Sequence, residues 1–136
     1  MGLKERRAIK EFEEYKYPKL KKQVYDVLGY EPEMTVDWER LAVDGYAERY
    51  GEYIPMVFFD PMMRAFQTIC KDDMGKEALE EILTKIELKN DKGNYSPLDF
   101  AEFKRGVLTL NHMTEANVGN VDDRTRALTK LLEDEL

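Results

Sequence analysis

Hydrophobic and polar positions follow a helical period through the first part of the chain. Residues 3–28 place their apolar side chains on one side of a 3.6-residue helix, and these are Ile9, Phe12, Leu20, Val24, Val27 and Leu28. Pro18 lies inside this segment and lacks a backbone N–H. The pattern therefore predicts a kink or a junction of two helices near Tyr17-Pro18, with Gly29 ending the second.

Three later segments change to the alternating period that is typical of strands. Residues 33–38 place Met34, Val36 and Trp38 on one face. Residues 85–89 and 106–111 show the same alternation. Because these last two segments are consecutive strands, the simplest pairing is an elaborated hairpin, and we expect a small three-stranded, mainly antiparallel sheet.

Helical signals fill the middle of the chain. Asp37 can cap a helix over residues 38–50, and Asp60-Pro61 has the residues of a helix start. The apolar run 54–59 between them contains Pro55, which excludes a central strand, so we expect a buried connector there.

Two further helices are expected towards the end of the chain. After a break at Asp72–Gly75 the helical period returns over residues 78–83, and Asp122 can cap a last helix. Residues 90–94 have turn composition, and residues 95–104 are expected to be irregular or a short helix. Together the patterns predict an α+β fold with four or five helices on one side of the sheet.

The chain length fits one domain. The 136 residues leave too few for a second core, so we expect a single domain, 1–136, with an N-terminal helical segment 3–28 and a mixed α/β body 33–136. No apolar run reaches the length of a membrane helix and no signal peptide opens the chain, which favours a cytoplasmic protein without a membrane partner.

Charge is unevenly placed. The chain carries 21 basic and 28 acidic residues, a net charge of −7. Residues 1–30 hold eight basic against five acidic side chains, whereas residues 31–136 hold thirteen against twenty-three. Since nucleic-acid binding depends largely on cationic contacts to phosphates, we expect no nucleic-acid partner and instead a basic protein partner.

Few side chains suit bond-making chemistry. Cys70 and His112 are the only cysteine and the only histidine, and they suggest a hydrolase-type enzyme in which Cys70 or a carboxylate pair acts with His112. Cys70 falls beside Ile69 on the apolar side of a predicted helix, which favours a buried structural thiol. One cysteine and one histidine cannot build a zinc site, so we expect no metal and no cofactor.

The segment from Leu88 to Phe103 resembles a degraded EF-hand loop. Asn90, Gly93 and Asp99 fall near the third, sixth and twelfth loop positions if Leu88 is first. The first position should be Asp, and the fifth is the cation Lys92. A plain loop is the stronger prediction, with a calcium-binding module as the alternative.

Tyrosines give the main indication of a binding surface. Tyr46, Tyr50 and Tyr53 stand at i, i+4 and i+7, which would place them on one helical ridge beside Met56. Aromatic anchors of this kind dominate the energetics of protein interfaces. We therefore expect a non-enzymatic protein-interaction or self-association module, such as a homodimer, whose partner-binding residues are Tyr46, Tyr50, Tyr53 and Met56.

Overall fold

Helices and a mixed sheet make up the computed structural model, which describes residues 1–136. The α-helices are α1 (Leu3–Glu11), α2 (Tyr17–Leu28), α3 (Trp38–Leu41), α4 (Tyr50–Ile54), α5 (Asp60–Ile69), α6 (Asp73–Ile82) and α7 (Val121–Glu133). The strands are β1 (Glu33–Val36), β2 (Lys85–Lys89), β3 (Ala101–Lys104) and β4 (Val107–Asn111). The broad α+β class is confirmed. None of the helices combines the length and the apolar character needed to cross a lipid bilayer.

The sheet differs from the predicted three-stranded, mainly antiparallel one. It has four strands in the order β1-β2-β4-β3, of which β1, β2 and β4 are mutually parallel. Residues 101–104, expected to be irregular or helical, form β3, which pairs antiparallel with β4. Arg105 and Gly106 connect them with positive φ angles of 53° and 83°, as a two-residue hairpin turn requires. The predicted hairpin between β2 and β4 is wrong because β3 holds the antiparallel position beside β4.

The two faces of the sheet have different surroundings. Ile86 and Leu88 of β2 alternate with charged residues and are buried under the helices, as are Leu108 and Leu110 of β4. On the opposite face, Glu87 forms ion pairs with the lysines at either end of β2, at 3.2 and 3.4 Å. Helices therefore cover one face only, as the sequence predicted.

Two π-helical turns keep the long helices continuous where the sequence predicts breaks. Residues Phe12–Lys16 join α1 to α2, and Pro55–Phe59 join α4 to α5. At the end of each turn a backbone N–H reaches back five residues, from Tyr17 to the Phe12 carbonyl and from Asp60 to the Pro55 carbonyl. The widened turn accommodates the proline that follows each of these residues, so neither Pro18 nor Pro61 starts a new helix.

An aromatic cluster forms where the two long helices meet. They lie side by side in the same direction, with α1 beside residues 47–49 and α2 beside α5. The Tyr17 ring centroid lies 4.9 Å from that of Trp38 and 6.2 Å from that of Phe59. Phe12 contacts Trp38 at 5.8 Å. The predicted connector 54–59 is buried, as expected, but helical.

Side-chain and glycine signals set several helix ends; those at Asp37 and Gly29 are as predicted, whereas the predicted break at Asp72–Gly75 is the start of α6. The Asp37 carboxylate accepts from the Arg40 N–H, Asp72 accepts from the Gly75 N–H, and Gly29 ends α2 with a φ of 78°. The helix predicted over residues 38–50 is much shorter, because the chain turns at Gly45, whose φ is 86°. Asp122 does not cap α7 but lies in its first turn.

Arg124 is a buried cation that bonds only to backbone carbonyls. Its side chain is fully buried and donates to the carbonyls of Asn117 at 2.7 Å, Val118 at 2.7 Å and Met56 at 3.2 Å. The Met56 carbonyl has lost both helical donors, because the Asp60 N–H reaches Pro55 and Pro61 has no N–H. Arg124 thus supplies the donor that the π turn and the proline remove, and it connects α7 to the long central helix.

Replacing Arg124 by Met should lower the free energy of unfolding by at least about 3 kcal/mol, because buried carbonyls lose their donors. Pro61→Ala restores a backbone N–H near the Met56 carbonyl. In urea denaturation, Pro61→Ala should therefore be less destabilising in the Arg124→Met background than in the wild type. Equal effects of Pro61→Ala in both backgrounds would contradict the compensation.

Candidate functional site

Tyr46 and Tyr53 form an aromatic pair on the surface of the helix that contains α4. Their ring centroids are 6.2 Å apart at an interplanar angle of 43°. Tyr46 is 36% exposed and Tyr53 is half-buried. Met56 follows one helical turn later and is also half-buried. The structure thus brings Tyr46 and Tyr53 into contact at the surface, and Met56 follows Tyr53 by three residues on the same helix.

Tyr50 lies inside the protein instead of on the predicted ridge. Its side chain is 1% exposed, and its hydroxyl donates to the Val43 carbonyl at 2.7 Å. Burial raises its pKa to about 12. The predicted ridge does not form because Tyr46, at φ −122°, precedes a 3-10 turn and is not part of the helix. The i, i+4, i+7 spacing of a helix therefore does not apply to Tyr46.

Three tyrosines are fixed in the fold by their hydroxyl groups. The hydroxyls of Tyr25, Tyr30 and Tyr50 donate to the carbonyls of Pro32, Leu83 and Val43. The hydroxyls of Tyr46 and Tyr53 have no hydrogen-bond partner within the protein. Both retain free donors and acceptors at the surface, which suits a group that contacts another molecule.

A groove of about 330 Å³ lies between the first long helix and α4. Its lining includes the exposed Tyr15 ring and the backbone at Gly51. Lys16 crosses the groove and its Nζ donates to the Gly51 carbonyl at 2.9 Å, the carbonyl that would pair with residue 55 if that residue were not proline. Sequence spacing could not connect Tyr15 with α4, because the two long helices are joined only by tertiary packing.

Carboxylates are frequent in the chain segment that holds the surface tyrosines. Asp44, Glu48 and Glu52 lie within this segment of the chain. Glu48 forms an exposed ion pair with Lys4, and Glu52 pairs with Arg49 at 3.3 Å. The Lys4 ammonium lowers the pKa of Glu48. Asp44 has no basic partner within 4.0 Å, so the segment keeps a negative excess.

The structure does not bring Cys70 and His112 together. Cys70 lies close to Tyr30, whose hydroxyl bonds the Leu83 carbonyl just before β2 begins. His112 follows β4, and its backbone N–H donates to the carbonyl of Lys89, the last residue of β2. The neighbours of the two residues, Leu83 and Lys89, thus lie at opposite ends of β2, a strand that spans about 13 Å. Burial also raises the pKa of the Cys70 thiol, which disfavours the nucleophilic thiolate.

His112 is a core residue. It is fully buried, its ring meets the Phe100 ring edge-on at 5.9 Å, and its Nδ1 lies 2.7 Å from the Met113 carbonyl. Its Nε2 has no hydrogen-bond partner. Burial lowers the pKa of the imidazole, and the nearby Arg124 cation acts in the same direction.

The predicted carboxylate pair is not assembled either. Asp60 is the one carboxyl group whose pKa is raised, and the cause is burial, with Arg64 opposing it. No second carboxylate contributes to that shift. General acid–base catalysis by two carboxyl groups requires one with a raised pKa beside one with a lowered pKa, and Asp60 has no such neighbour.

Side chains of the loop after β2 form hydrogen bonds to neighbouring loops at the end of the sheet where β2 ends. Asn90 donates to the Arg40 carbonyl at 3.2 Å, and Asp91 accepts from Asn111 at 2.7 Å. Asn94 donates to the carbonyls of Asp99 and Asn111. No group of three or more His, Cys, Asp or Glu side chains is positioned to hold a metal ion.

Comparisons of the chain with family models, with curated proteins and with solved structures give no match. The functional argument therefore depends on the geometry and the charge of the surface.

Tyr50→Ala should lower the free energy of unfolding by about 3–5 kcal/mol, because it removes a buried ring from the core. Tyr46→Ala, at an exposed position, should change it by no more than about 0.5 kcal/mol. Chemical denaturation of the two variants measures both values. Similar small effects at the two positions would show that Tyr50 is a surface residue.

Stability should fall as the pH drops below the unfolded-state pKa of His112, about 6.5. The folded state holds this imidazole neutral while the unfolded chain takes up a proton, so the contribution is complete above pH 6.5 and is lost as pH falls towards the lowered folded pKa. The slope is at most about 1.4 kcal/mol per pH unit. Denaturation of His112→Asn, compared with the wild type between pH 5.5 and 7, should show a flatter dependence. Identical slopes would contradict the assignment.

Proposed function

We propose that the protein is a non-enzymatic protein-interaction module. Its contact region is the tyrosine surface, defined as Tyr46, Tyr53 and Met56. The observation that supports this proposal is the Tyr46–Tyr53 ring pair at the surface, in which Tyr46 is exposed, Tyr53 is half-buried and neither hydroxyl has a partner inside the chain. The hydrolase-type alternative gains no support from the positions of Cys70 and His112.

The chemistry of the tyrosine surface suits a protein contact. A tyrosine ring supplies a large apolar area with few rotatable bonds, and its hydroxyl bonds to the partner's backbone or side chains. Met56 adds an adaptable apolar edge beside the rings. Tyr53 and Met56 lie on a helix that Arg124 and the core hold in place, so little order has to be gained there on binding.

The charge around the tyrosine surface favours a basic protein over a second copy. The chain carries a net charge of −7, and Asp44, Glu48 and Glu52 lie in the segment that holds the tyrosines. Two such molecules repel one another, whereas a cationic partner is attracted and steered. Homodimerisation is therefore the alternative outcome of the test. A cytoplasmic location and the exclusion of nucleic acid stay predictions from the sequence.

Photo-crosslinking in the source cells tests this surface directly. We would replace Tyr46 with p-benzoylphenylalanine and, in a matched control, replace Tyr95, an exposed tyrosine of the loop before β3. We expect a crosslinked protein of basic composition from position 46 and none of that mass from position 95. With the purified partner, Tyr53→Ser should weaken binding by about tenfold or more, as for a buried aromatic anchor.

Three results would contradict the proposal. The first is the same adduct from both positions, which would indicate unspecific contact. The second is no adduct from position 46. The third is an adduct whose purified complex is unaffected by Tyr53→Ser. An adduct of exactly two copies of this chain would replace the basic partner by a homodimer.

A further inference from the structure

The geometry points to a second docking site, an apolar groove with acidic sides between α5, α6 and α7 that binds a cationic amphipathic helix of a partner protein. The groove has a volume of about 360 Å³ and its apolar lining is formed by Ile69, Met74, Ala78 and Leu136. Met74 is 79% exposed, so a large apolar side chain is left uncovered there. This site is independent of the tyrosine surface.

The walls of the groove are held by close backbone packing. A Cβ atom at Gly75 would lie 1.7 Å from the Ile69 carbonyl oxygen, so α6 approaches the end of α5 as closely as glycine permits. The Asp72 side chain fixes the same turn by accepting from the Gly75 N–H at 2.9 Å. The groove is therefore formed before any partner arrives, which lowers the cost of binding.

Unpaired carboxylates lie in the groove and beside it. Asp72 and Glu133 belong to its lining. Glu77 and Glu81 lie outside the lining, in a separate acidic depression on α6, at helical spacings from Met74 that keep them on its side of the helix. None of these four carboxylates has a basic partner within 4.0 Å, and Lys71 is the one cation in the lining. The negative field at this groove is thus not neutralised within the chain.

This combination selects one class of occupant. An apolar lining with Asp72 and Glu133 in it and the carboxylates of α6 beside it complements a helix with apolar residues on one face and Lys or Arg at its edges. The ten residues of α6 span about 15 Å, which matches two to three turns of such a helix. A second copy of this chain would bring its own negative charge, so charge complementarity favours a separate cationic partner.

The groove and the tyrosine surface lie at opposite ends of the central helix. Tyr53 and Ile69 are sixteen residues apart on the continuous stretch α4–α5, or about 24 Å along its axis. A partner at one site therefore leaves the other accessible. Variants at the two sites can be tested separately in the intact protein.

The test uses a defined probe, a 14-residue peptide of leucine and lysine at amphipathic helical spacing, and a control peptide with glutamate in place of lysine. Amide chemical shifts of the isotope-labelled protein locate the bound peptide. We expect shift changes confined to residues 68–81 and 130–136 with the lysine peptide, and none with the glutamate peptide. Tyr46→Ala combined with Tyr53→Ala should leave this binding unchanged, so failure here is distinguishable from failure of the tyrosine surface.

Met74→Asp separates docking from simple charge attraction. The substitution adds a negative charge to an exposed position, so a purely electrostatic interaction would become tighter. Docking on the apolar lining should instead weaken by about tenfold or more. Glu77→Lys should also weaken binding, whereas Glu102→Lys, the same charge change on the open face of the sheet, should have a much smaller effect.

Several results would overturn the proposal. They are shift changes spread over other acidic surfaces, tighter binding by Met74→Asp, equal effects of Glu77→Lys and Glu102→Lys, and the absence of binding at millimolar peptide. Concentration-dependent self-association that Met74→Asp abolishes would also overturn it, because a second copy would then be the occupant.

Discussion

The fold depends on how the central helix satisfies its backbone across two prolines. Pro55 and Pro61 lie in one continuous helical stretch, and each removes a donor from it. The structure supplies replacements from elsewhere: Lys16 donates to the Gly51 carbonyl, and Arg124 donates to the Met56 carbonyl. These two contacts tie the first long helix and α7 to the central helix. A buried arginine without a carboxylate partner is thereby explained as a structural donor rather than a catalytic group.

The same arrangement sets the positions of the surface features. The central helix carries the tyrosine surface at its start and the groove at its end, and the helical layer covers one face of the sheet. Because the helix is not broken at Pro55 or Pro61, one continuous element connects Tyr53, in the tyrosine surface, with Ile69, in the groove. Binding surfaces on rigid elements hold their geometry better than surfaces on loops. This favours recognition by a preformed shape over chemistry at a cleft.

The sequence predicted local structure correctly where a single residue determines a single backbone feature, such as a helix cap or a turn. The cap at Asp37, the left-handed Gly29 and the alternation over residues 85–89 were predicted and are confirmed. The cap at Asp72 was not predicted, because the sequence analysis expected a break over Asp72–Gly75, where α6 begins. The parallel pairing of β2 with β4 was not predictable in this way, because it depends on β3 forming a hairpin through Arg105 and Gly106. The breaks predicted near Pro18 and around Pro55 and Pro61 do not occur, because at each place a π turn, which has no sequence signature, continues the helix.

The candidate site was predicted only in part, for a similar reason. The spacing of Tyr46, Tyr50 and Tyr53 holds only if the helix extends over all three, and a 3-10 turn before Tyr50 rotates that ring into the core. The groove beside α6 could not be found from spacing, because its lining comes from three helices that are distant in sequence.

The central claim is that the exposed tyrosine pair is covered by another protein in the cell. Hydroxyl-radical footprinting of the protein inside its source cells, compared with the purified chain, measures this coverage at each tyrosine. We predict that oxidation of Tyr46 and Tyr53 is reduced in the cell while that of Tyr95 is unchanged. Equal oxidation of Tyr46 and Tyr53 in the two samples would contradict the account.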